Sequence, residues 1–228
     1  MVKKSIITAL FVALLSSTFA YAQNLEAVLN SMDKAAATFH TAQTDFVWDN
    51  YTKAVDDHDL QKGFMYVRRQ GADLQMAADI TEPAKKYVLF SGGMVSIYLP
   101  KAAQVTEYSA GKNKSDFETF LVLGFGGRGH DLAKSFDVKY AGTEQVQGIN
   151  AAKLELIPKS DRVSKMFNKI TMWIDTARGV SVQQLFNTPS GDYRLAKYNN
   201  IKLNDKLSND VFKLKTSGKV TYVKPQSQ

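Results

Sequence analysis

The sequence predicts a mainly β fold with an α lid: a curved antiparallel sheet that forms an incomplete, open β-barrel covered by helices. Three observations carry this. From Thr44 onward, apolar residues recur with a period of two in short runs bounded by turn residues. The connections between the runs are too short for parallel crossovers, so neighbouring strands run antiparallel. Only three segments carry a helical pattern, set against ten or eleven strands. A large twisted sheet must cover its apolar face or close on itself. Curving around so few helices leaves a cavity between sheet and lid.

The elements follow in order. Lys3 and Lys4 precede an apolar run from Ile6 to Leu15, and Ala20-Tyr21-Ala22 gives an A-x-A site before Gln23. This is the pattern of a cleaved secretory signal peptide over residues 1–22. The run is too short to span a bilayer comfortably. Residues 23–228 show no linker, repeat or low-complexity tract and read as one domain. Leu25, Val28, Leu29, Met32, Ala35, Ala36 and Phe39 fall on one stripe of an amphipathic helix. Phe46 and Trp48 then alternate with Asp45 and Asp49. Met65 and Val67 share a face opposite Phe64 and Tyr66. Leu74, Met76, Ala78 and Ile80 alternate with Asp73, Gln75 and Asp79. Strands at Tyr87–Phe90, Met94–Leu99 and Gln104–Tyr108 follow, with turns at Gly71, Gly92-Gly93 and Pro100-Lys101.

The period breaks at Ser115-Asp116-Phe117-Glu118, a capping box that opens a predicted helix over Asp116–Leu123. Asp131–Phe136 is a second short helix. Between them, Gly124, Gly126, Gly127 and Gly129 form either the hinge of a lid or a plain turn. Strands resume at Asp137–Thr143, Ala151–Ile157, Lys169–Asp175, Val180–Asn187 and Asp192–Leu203. A turn at Leu207–Phe212 precedes the closing segment Lys213–Val223.

The chain has 228 residues, 44% hydrophobic and 22% charged, which excludes a disordered, collagen-like or polytopic membrane protein. The formal charge is +7. Loss of Lys3 and Lys4 with the signal leaves 27 Lys+Arg against 22 Asp+Glu, or +5. The lysines are scattered and no basic run alternates with aromatics, so no nucleic acid is expected. The absence of cysteine excludes disulfides, a thiol nucleophile, Cys-ligated metals and a lipidated N-terminal Cys.

Catalytic signatures are weak, and neither enzyme activity nor a cofactor is expected. His40, His58 and His130 have no metal-ligand spacing, and no G-x-S-x-G elbow is present. Asp56-Asp57-His58-Asp59 reads as a solvated hairpin tip rather than a metal loop. Gly124, Gly126 and Gly129 match G-x-G-x-x-G, but no βαβ unit surrounds them.

A family resemblance appears from Gly63 onward. Gly63-Phe64-Met65-Tyr66-Val67-Arg68-Arg69 resembles the glycine–aromatic–valine–basic-pair segment of the lipoprotein carriers of the LolA family. Ile80-Thr81-Glu82-Pro83, Leu89-Phe90-Ser91-Gly92-Gly93, Tyr98 and Pro100 follow in order. Phe39-His40 and Phe46 resemble the start of the family's first strand, Leu154–Lys159 a later strand end, and Val211-Phe212 its closing phenylalanine. The order and spacing of these motifs cover nearly all of residues 23–228. The chain departs from the family in Gln70-Gly71 after the arginine, in its glycine-rich lid segment and in its basic charge.

The resemblance implies a LolA/LolB-like open barrel whose cavity takes the acyl chains of lipoproteins. It also implies a monomeric periplasmic shuttle, without cofactor or metal, between an inner-membrane ABC transporter and an outer-membrane receptor. LolB-type receptors carry a lipidated cysteine, which this chain lacks. The family's lid-holding arginine falls on Arg69. The cavity residues expected beside it are Phe46, Trp48, Met65, Val67, Leu74, Met76, Val95, Ile97, Met172 and Ile174. The same fold also serves lipid carriers and envelope-stress sensors.

Overall fold

The computed structural model describes residues 24–71, 73–109, 111 and 123–224. The predicted signal peptide and all but Leu123 of the predicted helix Asp116–Leu123 lie outside the described residues. A first helix, α1, occupies residues 24–37. Six strands follow: β1 (Thr41–Thr52), β2 (Asp57–Gln70), β3 (Asp73–Glu82), β4 (Lys86–Ser91), β5 (Met94–Leu99) and β6 (Gln104–Ser109). After helix α2 (Gly129–Ser135) come β7 (Phe136–Val146) and β8 (Ile149–Pro158). Short α3 (Asp161–Ser164) leads to β9 (Lys169–Asp175), β10 (Val180–Asn187), β11 (Tyr193–Leu203) and β12 (Thr221–Val223).

All twelve strands form one sheet, ordered β12-β6-β5-β4-β3-β2-β1-β11-β10-β9-β8-β7. Two meanders, β1 to β6 and β7 to β11, meet where β1 pairs with β11. The two edge strands, β12 and β7, are not paired with each other, so the barrel is open. The expected antiparallel sheet is therefore present with one exception: β12 runs parallel to β6. Gly63 helps to bend the sheet. A Cβ there would sit 2.1 Å from the Asp79 carbonyl oxygen, and the β2–β3 register shifts between Lys62 and Gly63.

Period-two alternation delivers the apolar side chains to the inner face. Near α1, Leu154, Leu156, Ile170, Met172 and Ile174 of β8 and β9 pack under Val28, Leu29 and Met32. Burying each such side chain contributes about 1.5–3 kcal/mol, which docks a helix too short to be stable alone. On the other meander, Phe46, Met65, Val67, Leu74, Ala78 and Ile80 join Ala196 and Tyr198 of β11 beneath Phe39 and Phe125.

The outer face of the first meander has its own cover. Residues 205–224 cross it and end as β12. Phe212 is buried, with the Arg68 guanidinium 4.3 Å above its ring. Arg68 also donates to the side-chain oxygens of Gln75 and Asn209. Ser217 lies across Tyr98, donating its backbone N–H to the phenol oxygen at 3.3 Å. Beneath this strap Tyr98 and Val105 are buried on the convex side. The acidic run at Asp56–Asp59 does lie where β1 turns into β2. His58 Nδ1 there contacts Asp49 Oδ1 across the strand pair at 2.8 Å.

Candidate functional site

Between β6 and β7 the chain crosses the inner face, and the crossing is held down at several points. Leu123, Gly124, Phe125 and Gly126 are all buried. The Gly124 carbonyl accepts the Ser181 N–H at 2.9 Å. The Leu123 carbonyl accepts the Gln184 side-chain amide, and Gln184 Oε1 accepts the Tyr198 hydroxyl at 2.9 Å. Both ends of this buried amide are thus used, as burial of a polar group requires. Burial holds the Tyr198 phenol neutral by pushing its pKa up. Phe125 packs edge-on against the same ring, centroids 5.0 Å apart.

The fourth point is Arg69. Its backbone N–H donates to the His40 carbonyl at 2.9 Å, fixing the end of β2 beside the start of β1. Period two puts its side chain on the inner face with Met65 and Val67. Arg69 Nη2 reaches the Gly126 carbonyl at 3.1 Å. Its Nε is buried without a hydrogen-bond partner. One guanidinium donor therefore latches the crossing segment while another is left unpaired in an apolar setting.

The glycines are packed into this arrangement. Gly126 has φ +77, and a Cβ there would fall 2.3 Å from the Phe39 ring. Gly124 has φ +83, and its Cβ would fall 2.2 Å from Ser181 Cβ. At Gly129 the Leu29 carbonyl oxygen of α1 lies 2.4 Å from where a Cβ would be. Gly127 is half-buried. Close approach thus requires glycine at three of the four positions, and a hinge motion there has to break these contacts.

His130, the second residue of α2, ties the crossing to α1. Its Nδ1 lies 2.5 Å from Asp33 Oδ2 and its Nε2 3.2 Å from Glu26 Oε1. The Asp33 hydrogen bond, then that of Glu26, hold the imidazole pKa above its ordinary 6.5. Burial raises the Asp33 carboxyl, but hydrogen bonds from His130 outweigh it, leaving the pKa below 3.8. The raised imidazole makes the contact complete below 6.5 and weakens it as pH rises through the higher bound value. The lowered carboxyl makes it complete above 3.8 and weakens it as pH falls through the lower one. Proton NMR titration of His130 is expected to show an upward-shifted midpoint that falls part of the way back in Asp33→Asn, with Glu26 holding the rest. An unshifted midpoint in the wild type contradicts this pairing.

The expected cavity residues fall into three neighbouring groups. Phe46, Met65, Val67 and Leu74 are buried under Phe39 and Phe125, with Trp48 and Met76 half-buried at their margin. Val95 is buried with Phe90, beside half-buried Ile97. Met172 and Ile174 are fully buried under α1. Trp48, Met76, Val88 and Ile97 form a partly uncovered apolar rim on four strands. Gln184, Tyr198 and Phe125 are the residues that sequence reasoning missed. A bulge between Ser181 and Gln183 breaks the alternation that would have assigned Gln184 to the inner face.

The model of the family described as outer membrane lipoprotein carrier protein LolA matches residues 37–215. The chain belongs to the LolA family. No curated protein matches it. Among solved structures, this LolA-family chain is similar to an uncharacterized conserved protein from Thermus thermophilus. That match has a TM-score of 0.55 and 11% identity, covering 88% of this chain and 98% of the other. MucB, in the Pseudomonas aeruginosa MucA/MucB complex, matches at TM-score 0.51 and 15% identity over 88% of this chain and 64% of the other. The Mycobacterium tuberculosis lipoprotein LppX matches at TM-score 0.50 and 14% identity over 82% and 98%. At these identities the likeness is one of fold. Among the described residues, no helix is long and apolar enough to cross a membrane.

Proposed function

We infer that this LolA-family protein is a periplasmic carrier that takes the acyl chains of lipoproteins onto its inner face. In this reading residues 1–22 are a cleaved signal peptide and residues 23–228 act as one soluble, monomeric domain. An inner-membrane transporter loads the protein and an outer-membrane receptor unloads it. The chemistry is binding and release, with no bond made or broken.

The observation that carries this reading is the latch. The Arg69–Gly126 bond is the charged tie between an apolar sheet face and the segment that crosses it, beside the Gly124–Ser181 and Leu123–Gln184 bonds. Lifting that segment exposes Phe46, Met65, Val67 and Leu74, which acyl methylenes cover at about 0.8 kcal/mol each. Lid opening costs part of that energy, which keeps release feasible. Gly124, Gly126, Gly127 and Gly129 are the positions where the lid departs from the face.

The test is extraction of a triacylated lipoprotein from vesicles by the purified protein. A soluble complex of the two is the expected result. Lipoprotein that stays wholly with the vesicles overturns the reading. Extraction of phospholipid alone replaces it with general lipid transport, and a lipid-free complex with another protein replaces it with a sensor.

A further inference from the structure

The inner face carries a cationic mouth at the end remote from Arg69. Arg194 of β11 and Lys86 of β4 flank it. Lys86 pairs with Ile80, and Arg194 with both Phe186 and Asn50, so all lie on the inner face. The Arg194 guanidinium stands 5.4 Å from the centroid of the Trp48 ring. Its hydrogen bond goes to a neutral group: Nε donates to Asn50 Oδ1 at 2.7 Å. Lys86 likewise donates to Gln61 Oε1 at 3.1 Å. The two amides turn their NH2 groups to one carboxylate, Asp59. Asp59 thereby orients both amides while leaving the cations paired to carbonyl oxygens.

The donor count follows. Guanidinium has five N–H donors and ammonium three. One of each is used by the amides, leaving most of them for a ligand. Burial lowers the Lys86 pKa, Asp59 counters it and the charge of Arg194 adds to it, so the cations feel each other. Arg194 is solvent-exposed, yet crowding by protein lowers its pKa too. Beside it runs the half-buried apolar rim of Trp48, Val88 and Ile97, continued by Leu99, which is 37% exposed.

We propose that this mouth binds the phosphate of an anionic phospholipid whose acyl chains lie along the rim. Two cations against Asp59 leave a net +1, which matches a phosphodiester without a compensating ammonium. The donors come from two strands on opposite sides of β1–β3. From Ala42, opposite Val67, to Asn50, opposite Asp59, the face extends about 26 Å. This exceeds the ~15 Å hydrocarbon depth of one leaflet, so a headgroup at Arg194 does not compete for Arg69.

The proposal rests on the acyl-binding reading of the face, and the experiment separates the two. Binding of fluorescent phosphatidylglycerol and phosphatidylcholine with identical chains is compared, with inorganic phosphate as competitor. The full protein is expected to prefer phosphatidylglycerol about tenfold. Arg194→Gln with Lys86→Gln is expected to remove the preference, so that phosphatidylglycerol binds no more tightly than phosphatidylcholine. Asp59→Asn, which removes the local negative charge, strengthens phosphatidylglycerol binding, so the test includes a gain as well as a loss. Equal binding of the two lipids by the wild type overturns the headgroup site and leaves the acyl-binding face standing. Failure to bind either lipid overturns both. Complete displacement of phosphatidylglycerol by millimolar phosphate identifies a free-phosphate site and overturns the lipid proposal.

Discussion

Arg69→Leu is expected to give a folded protein that takes up lipoprotein and fails to deliver it. The substitution removes a charged hydrogen bond to Gly126, worth about 1.5–3 kcal/mol. It also removes a buried donor, Arg69 Nε, that has no partner. The second change offsets much of the first, so global stability changes little. The local balance shifts further. The crossing segment loses its charged tie, and the inner face gains an aliphatic side chain beside Met65 and Val67. An open, loaded state is then favoured over the latched state that expels cargo. Hydrogen exchange at residues 123–126 is expected to accelerate roughly tenfold or more, as a loss of about 1.4 kcal/mol implies. Transfer from the loaded variant to receptor-bearing membranes should stall. Normal transfer with unchanged exchange would show that the arginine is only a strand-end residue.

Gly126→Ala is expected to be strongly destabilising. Its left-handed φ costs an L-residue about 1–2 kcal/mol. Its Cβ would also lie within the space of the Phe39 ring, and overpacking of that kind costs about 1–3 kcal/mol. The sum, roughly 2–5 kcal/mol, corresponds to a loss of about 4–20 °C in Tm for a domain of this size. Gly148→Ala supplies the control. Gly148 has φ +78, almost the same backbone, with no heavy atom within 4 Å of the added Cβ. The difference between the two variants isolates the contact with Phe39. Equal melting temperatures would mean that the crossing segment yields freely, which contradicts its packing.

The strands of both meanders were legible because one face is buried and the other wet. Met65 and Val67 against Phe64 and Tyr66 give the alternation directly, and the structure places Phe64 40% exposed. Residues 205–224 were harder to read. They form a strap tied by single side chains such as Ser217 to Tyr98, which carries no period. Tyr98 and Val105 are buried beneath this strap, on the face opposite Ile97 and Thr106. The cationic mouth escaped notice because Lys86 and Arg194 are far apart in sequence and each resembles a surface residue. Only the pairing of β1 with β11 brings the two meanders' basic residues to one end. The resemblance pointed to Arg69; the group it meets, the Gly126 carbonyl, belongs to the backbone and shows in no side-chain pattern.

The strap also sets an order of events. Tyr98 waits for Ser217, 119 positions further along the chain, and β6 receives its outer neighbour only when Thr221–Val223 arrives. Until then β6 presents an unpaired edge and the convex side of β3–β6 remains wet. A chain that emerges from its amino end therefore passes through a stage with an exposed apolar surface and an adhesive edge. Contacts of such long sequence separation form slowly. That interval is when the protein is most exposed to self-association, and three short strand residues end it.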